Sequence, residues 1–316
     1  MVWRSSRGRR IAYQAAAIGA AALVAWFLVS NTMANLEERR IASGFGFLGR
    51  EAGFEIGESA FLRYSASDSY LRALVVGLSN TLAVALIGIV TATVLGTVIG
   101  LSRLSRNFLL RNVAAAYVEF MRNVPLLVQL FFWYVVITEG MPGPREALSP
   151  LPGVFLSNRG IFFPTLSGVP ELQGFNFVGG AALTPEFAAL LIGLATYTAA
   201  FIAEIVRAGI LAVDRGQAEA AHALGLSRAQ AMRLVILPQA LRVIVPPMTS
   251  QYLNLTKNSS LAVAIGYPDL VSIANTTMNQ TGQAIEGIAI IMAVYLTISL
   301  SISAFMNWYN AHVAFR

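Results

Sequence analysis

The 316-residue chain contains no cysteine, so disulfides, thiolate nucleophiles and cysteine metal sites are excluded. Its two histidines, His222 and His312, are too few and too far apart in sequence to suggest a metal centre. Charge is scarce: 12% of residues are Asp, Glu, Lys or Arg, about half the ~25% of an ordinary soluble domain. Lysine occurs once, as Lys257. There is no Gly-x-x-x-x-Gly-Lys-Ser/Thr phosphate loop, so nucleotide hydrolysis of the P-loop kind is not expected on this chain. No His-Glu-x-x-His occurs, and no serine shares an apolar stretch with a histidine, which removes the chemistry of an intramembrane protease. Apolar residues are abundant instead: 56% of the chain, with a mean hydropathy of +0.64, the composition of a bilayer protein.

Six segments approach the roughly 20 apolar residues that cross a hydrocarbon core: 11–30, 73–102, 113–138, 184–210, 241–264 and 287–309. The first follows Arg4, Arg7, Arg9 and Arg10 but is long for a signal peptide and lacks a clear cleavage site, so it is expected to stay as an anchor. The fifth contains Pro246 and Pro247, either a hinge or the start of a helix after a re-entrant turn. Residues 139–183 are rich in Pro and Gly and hold no run long enough to cross; a folded or draped loop is expected there. The expected fold class is therefore an all-α polytopic membrane protein with six transmembrane helices. Residues 1–70 would form a tail, the extra first helix and an outer segment; 71–138 and 184–316 the core; and 139–183 a periplasmic insertion.

Six spans put both termini on one side. That side, with the connections after the second and fourth spans, carries fourteen basic and four acidic residues; the other carries seven arginines and twelve acidic residues. The positive-inside rule makes the first side cytoplasmic. The isoelectric point near 9.9 thus reflects topology. Membrane lipid is an expected partner and nucleic acid is not.

The connection after the fourth span stands apart. Residues 217–224 are Ala-rich and form a short helix, Gly225 is placed to end it in the left-handed conformation, Ser227 can cap a second helix over 228–237, and Pro238 is expected to terminate that. Taken alone, this could be an amphipathic linker with arginines at the lipid headgroups. The order Glu219-Ala220-Ala221, three residues, Gly225, nine residues, then Val235-Ile236-Leu237-Pro238 resembles the EAA motif of ABC importer permeases, with Val235 where Ile is usual. Thr81-Leu82, Glu119-Phe-Met-Arg122-Asn-Val-Pro125, Ala203-Glu204-Ile-Val-Arg207-Ala-Gly209, Gly216-Gln217, Leu237-Pro238-Gln239-Ala240 and Leu255-Thr256-Lys257-Asn258-Ser259-Ser260-Leu261 extend the likeness to the polar amino-acid permeases over most of 75–310. The loop Leu156-Ser-Asn-Arg-Gly160 looks like the larger permeases handling glutamate, glutamine, aspartate and asparagine.

The resemblance implies a non-enzymatic permease subunit of an ATP-driven amino-acid importer in a bacterial inner membrane, with a five-helix core forming half of the translocation pathway. Glu219, Ala220, Ala221, His222, Gly225, Leu226 and Pro238 would belong to the coupling element that docks on the ATPase. It further implies a nucleotide-binding ATPase dimer holding ATP and Mg, no cofactor in this chain, a second related permease in a heterodimer or homodimer, and a periplasmic amino-acid-binding protein. The substrate would be a polar or acidic L-amino acid or its amide. A permease for another small polar solute and an ion-coupled secondary transporter are the alternatives; no inverted repeat supports the latter.

Ionisable groups within spans are costly and therefore candidates for function. Glu119 and Arg122 lie at i, i+3, as do Glu204 and Arg207. They form either two intrahelical salt bridges or a cross-helix network at the inner end of the pathway. Lys257, with Asn258 beside it, either snorkels to an interface or attracts a substrate carboxylate. Gln129 and Tyr197 offer neutral hydrogen-bonding groups to a substrate, and Tyr197, Thr196 and Thr198 cannot all face one cavity.

Overall fold

A computed structural model describes residues 6–38, 43–59, 62–166 and 168–314. Arg4, Arg39, Arg40 and Arg316 of the charge count lie outside these residues. Helix α1 spans Ser6–Glu38 and α2 Tyr70–Ser102; α3 (Phe108–Asn123) and α4 (Leu126–Thr138) follow. After six short strands come α5 (Pro185–Leu211), α6 (Arg215–Ala223), α7 (Arg228–Ala231), α8 (Leu237–Asn258), α9 (Leu270–Thr281) and α10 (Ala284–Ala314). Among the described residues, five helical runs are long and apolar enough to cross a membrane: Arg9–Thr32, Tyr70–Ser102, Pro185–Leu211, Arg228–Ile265 and Ala284–His312.

The third expected span, 113–138, is not one helix. It breaks into α3 and α4, the chain bending by 106° across Val124-Pro125. Pro125 cannot donate a backbone hydrogen bond and pushes Val124 into the extended region, with ψ of 127°. Two carbonyls orphaned at the break, those of Met121 and Val124, both accept from Gln129 Nε2 at 3.0 Å. Gln129 is therefore a buried staple of the elbow rather than a free donor for substrate.

Glycines let the core helices approach closely. A Cβ on Gly96 of α2 would lie 2.6 Å from the Ile202 side chain of α5, and one on Gly100 would lie 2.7 Å from the Ala203 carbonyl. Gly193 admits Leu130, and Gly209 admits Ile244 of α8. Lipid tails are as apolar as leucine, so in a bilayer it is this close packing that holds helices together. Val84, Leu130, Leu190 and Leu194 fill one cluster of the core; Ala92, Ile202, Val206 and Leu255 belong to another. Pro246 and Pro247 lie inside α8, which begins nine residues before Pro246, so the reading of these prolines as a helix start does not hold.

Pro238 does not end the second loop helix either. It is the second residue of α8, immediately after a π turn that carries the helix past it. A π turn over Met232–Ile236, closed by the Leu237 N–H on the Met232 carbonyl, joins α7 to α8 without a break. Gln239 Nε2 donates to the Val235 carbonyl at 3.1 Å.

The stretch between α4 and α5 is folded, and as β structure. Strands β1 (Leu148–Leu151), β2 (Val154–Ser157), β3 (Gly160–Phe163) and β6 (Ala181–Leu183) form one antiparallel sheet in that order; β4 (Glu171–Gln173) and β5 (Asn176–Val178) form a hairpin. Ser157 pairs with Gly160 across the β2–β3 turn. Gly160 has φ of +126°, and a Cβ there would strike the Leu183 carbonyl at 2.2 Å, so this turn needs glycine. Phe177 stacks on Phe155 and packs against Phe162, with ring centroids 4.5 and 4.9 Å away.

Candidate functional site

Two regions carry most of the candidate residues: the α6–α7 turn, and a charged cavity between α3 and α5.

Asp214 caps α6 by accepting the Gly216 N–H at 2.7 Å. At the other end Gly225 is left-handed, with φ of +82°. Its N–H reaches the His222 carbonyl and the Leu226 N–H reaches the Ala221 carbonyl, the paired bonds of a Schellman motif. His222 Nδ1 lies 3.0 Å from the Leu226 carbonyl. Ser227 then caps α7 in a full capping box with Gln230. Both sequence-based caps occur where expected. Ala221 and Ala231 are buried where the turn packs on itself, whereas Glu219, Ala220, His222 and Pro238 are exposed. Gln239 Nε2 also contacts Gln217 Oε1 at 3.2 Å, tying α6 to the base of α8. Leu224, 82% exposed, projects an apolar side chain at the end of α6; sequence reasoning missed it, although an apolar residue just before a capping glycine was visible.

The cavity has a volume of about 480 Å³ and is lined by Arg103, Glu119, Arg122, Asn123, Phe201 and Glu204 among others. Glu204 bonds Arg207 one turn on through Oε1 and Nη2, and its Oε2 accepts from Arg207 Nε at 3.2 Å. It also pairs with Arg103 at the end of α2. A cross-helix network thus exists around Glu204, and Arg103 is the member that span-by-span reading left out. Its available signal was Gly96-x-x-x-Gly100, the spacing that brings the end of α2 against α5.

Glu119 and Arg122 behave differently. Among the described residues, both ion pairs involve Glu204, so a Glu119–Arg122 bridge, one of the two arrangements the spacing allows, is absent. Arg122 lies instead over the Phe201 ring, its guanidinium carbon 5.2 Å from the centroid. Tyr197 packs on the same phenylalanine at 5.0 Å, while Thr198 is buried and Thr196 bonds backward to the Ile192 carbonyl. Tyr117, which the sequence reading did not single out, donates to the Thr196 carbonyl at 2.7 Å and pins α3 to α5.

Lys257 and Asn258 are not brought to this cavity. Leu255 packs on Gly88 of α2, about 22 Å along that helix from Arg103 at 1.5 Å per residue. Lys257 is exposed and Asn258 half-buried at that level. Gln129, at the elbow, likewise lies apart from the charged wall.

The family described as "Binding-protein-dependent transport system inner membrane component" matches residues 88–316. The chain is 43% identical to the general L-amino acid transport system permease protein AapQ of Rhizobium johnstonii, the alignment covering 97% of this chain and 92% of that protein. It is 36% identical to the glutamate/glutamine/aspartate/asparagine transport system permease protein BztB of Rhodobacter capsulatus, over 92% of this chain and 90% of the relative. Its fold resembles a crystal structure of an amino acid ABC transporter with histidines, with a TM-score of 0.57, 30% identity, and coverage of 77% of this chain and 95% of that one.

Proposed function

The chain belongs to the binding-protein-dependent transport inner-membrane components, and from that premise we propose that it carries polar and acidic L-amino acids and their amides inward. It is a permease subunit of an amino-acid ABC importer, and not itself an enzyme. Its ATPase is a separate chain, and a substrate-binding protein is the third component. The observation that supports the amino-acid cargo most is the end-to-end likeness to AapQ and BztB, which extends through the core and beyond it.

In this reading the α6–α7 turn is the coupling element. Glu219, Ala220 and Leu224 present an exposed face to the ATPase, while Ala221 and Ala231 hold the turn together. ATP and Mg reside on the ATPase dimer. A second, related permease completes the pathway as a heterodimer. The α6 end faces the cytoplasm with both termini, and the β insertion faces the periplasm, as the arginine distribution supports.

Alternating access moves the cavity between two exposures. Closure of the ATPases on ATP displaces the α6–α7 turn, and the continuous π-turn junction passes that displacement into α8, which packs on α5 at Gly209. The Glu204 network seals the α6 end of α2 and α5 during this motion. Lys257 and Asn258, at the other level, first meet the substrate carboxylate.

Reconstitution of the complete transporter in proteoliposomes tests this. ATP-dependent uptake of labelled glutamate, glutamine, aspartate or asparagine is expected. Uptake that persists without ATP hydrolysis, or a transporter moving none of a panel of amino acids, would overturn it. Lys257→Ala should lower uptake much more than assembly; equal losses remove Lys257 from the pathway.

A further inference from the structure

Resting on the permease reading, we propose that Glu119 and Arg122 form a cradle for the backbone of a free α-amino acid. The Arg122 guanidinium takes the α-carboxylate and the Glu119 carboxylate takes the α-ammonium.

Four observations converge on it. Both residues are exposed on one wall of the same cavity, one helical turn apart on α3. Neither forms an ion pair among the described residues, whereas Glu204 on the facing helix is already matched by two arginines. Arg122 rests over Phe201 in a cation–π contact, which steadies the guanidinium without using its N–H donors, the groups that take a carboxylate in bidentate fashion. The cavity volume, about 480 Å³, falls within the roughly 300–1,000 Å³ of small-molecule sites.

Charge accounting narrows the ligand. Unpaired charges inside a membrane protein need water or a counter-charge. An anion alone would satisfy Arg122 and be repelled by Glu119; a cation alone would do the reverse. A zwitterion satisfies both and leaves the net charge of the wall unchanged. Side chains i, i+3 on a helix are about 5–6 Å apart at Cβ, so the two heads can converge on groups attached to one carbon. Such a cradle reads only atoms common to all α-amino acids. It would make this step indifferent to the side chain, leaving selection to the binding protein and to deeper residues.

The assembled permease–ATPase complex in nanodiscs, without binding protein, provides the test. Binding of L-glutamine, N-acetyl-L-glutamine and L-glutamine α-amide is measured by calorimetry to wild type, Glu119→Gln, Arg122→Gln and, as a control in the β insertion, Arg145→Ala. Wild type and Arg145→Ala should bind L-glutamine saturably and reject both derivatives by tenfold or more. Glu119→Gln should lose discrimination against the N-acetyl form while keeping it against the amide, and Arg122→Gln should do the opposite. A merely structural role would weaken all three ligands together, and that result overturns the cradle. So does the absence of saturable L-glutamine binding in a wild-type complex whose uptake is intact. O-phosphoethanolamine displacing L-glutamine at lower concentration would reassign the wall to a zwitterionic lipid headgroup and also overturn it. A wild-type transporter that takes up no amino acid defeats the permease reading instead.

Discussion

Glu119 and Glu204 each begin the same four-residue spacing, Glu-x-x-Arg, and they face each other across one cavity, yet their surroundings differ completely. Glu204 is closed off by Arg207 on its own helix and Arg103 from the next; among the described residues Glu119 forms no ion pair, and its arginine rests on a ring. Spacing alone sets only that two side chains share a helix face. What decides the outcome is the third group. α5 lies against the glycine seam of α2, which delivers Arg103 to Glu204. Arg122 occupies the last turn before the Pro125 break, where Phe201 is in reach.

The comparison is most severely broken by removing the seam. Gly100→Leu places side-chain atoms where the Ala203 carbonyl lies 2.7 Å from even a Cβ. Overpacking costs about 1–3 kcal/mol where neighbours yield, and a backbone carbonyl yields little. The expected outcome is loss of complex assembly in detergent, read by size exclusion, with Arg103 carried away from Glu204.

Next comes Glu204→Gln, which leaves two arginines facing each other across a half-buried site. Its cost should be about 1–3 kcal/mol, between exposed and buried pairs. It should lower the melting temperature and reduce both uptake and ATPase stimulation. Unchanged transport and ATPase rates would end the idea that this network seals the pathway.

Arg103→Ala and Arg207→Ala should each cost about 0.5–1.5 kcal/mol, because one partner remains for Glu204. Their double variant should cost more than the sum of the two, by a thermal-melt cycle. Simple additivity would mean that Glu204 has only one working partner. Smallest is Glu119→Gln, whose melting temperature should stay within about 0.5 kcal/mol equivalent of wild type, as for a surface change. A large drop would show that Glu119 is structurally paired after all, erasing the contrast.

The sequence carried the long apolar spans and the caps at Gly225 and Ser227, because periodicity and capping are local properties. It also carried the family, through Glu219–Pro238 and the segments that match around it. It did not reveal that 113–138 turns through 106°, although Pro125 was in plain view: proline marks a possible break but not its angle, which the packing of α4 on α5 sets. It underestimated the insertion, since strands of three or four residues between glycines and prolines leave too little alternation to read. Pro238 misled because a π turn immediately before it carries the helix past it. At the site, the cavity-lining role of Arg103 and the diversion of Arg122 to Phe201 are tertiary facts, set by contacts between α2, α3 and α5 that no window of one helix contains.

The elbow has a consequence in mechanics. Two helices of 16 and 13 residues make stiff arms of about 24 and 20 Å, bent through 106° and riveted at the corner by the Gln129 amide. That is the shape of a bell crank. If the corner is the fulcrum, a small displacement at Phe108 perpendicular to its arm emerges at Thr138 turned through nearly a right angle and about five-sixths as large. Sliding in the plane of the membrane and lifting along its normal would then be one motion, exchanged at Pro125.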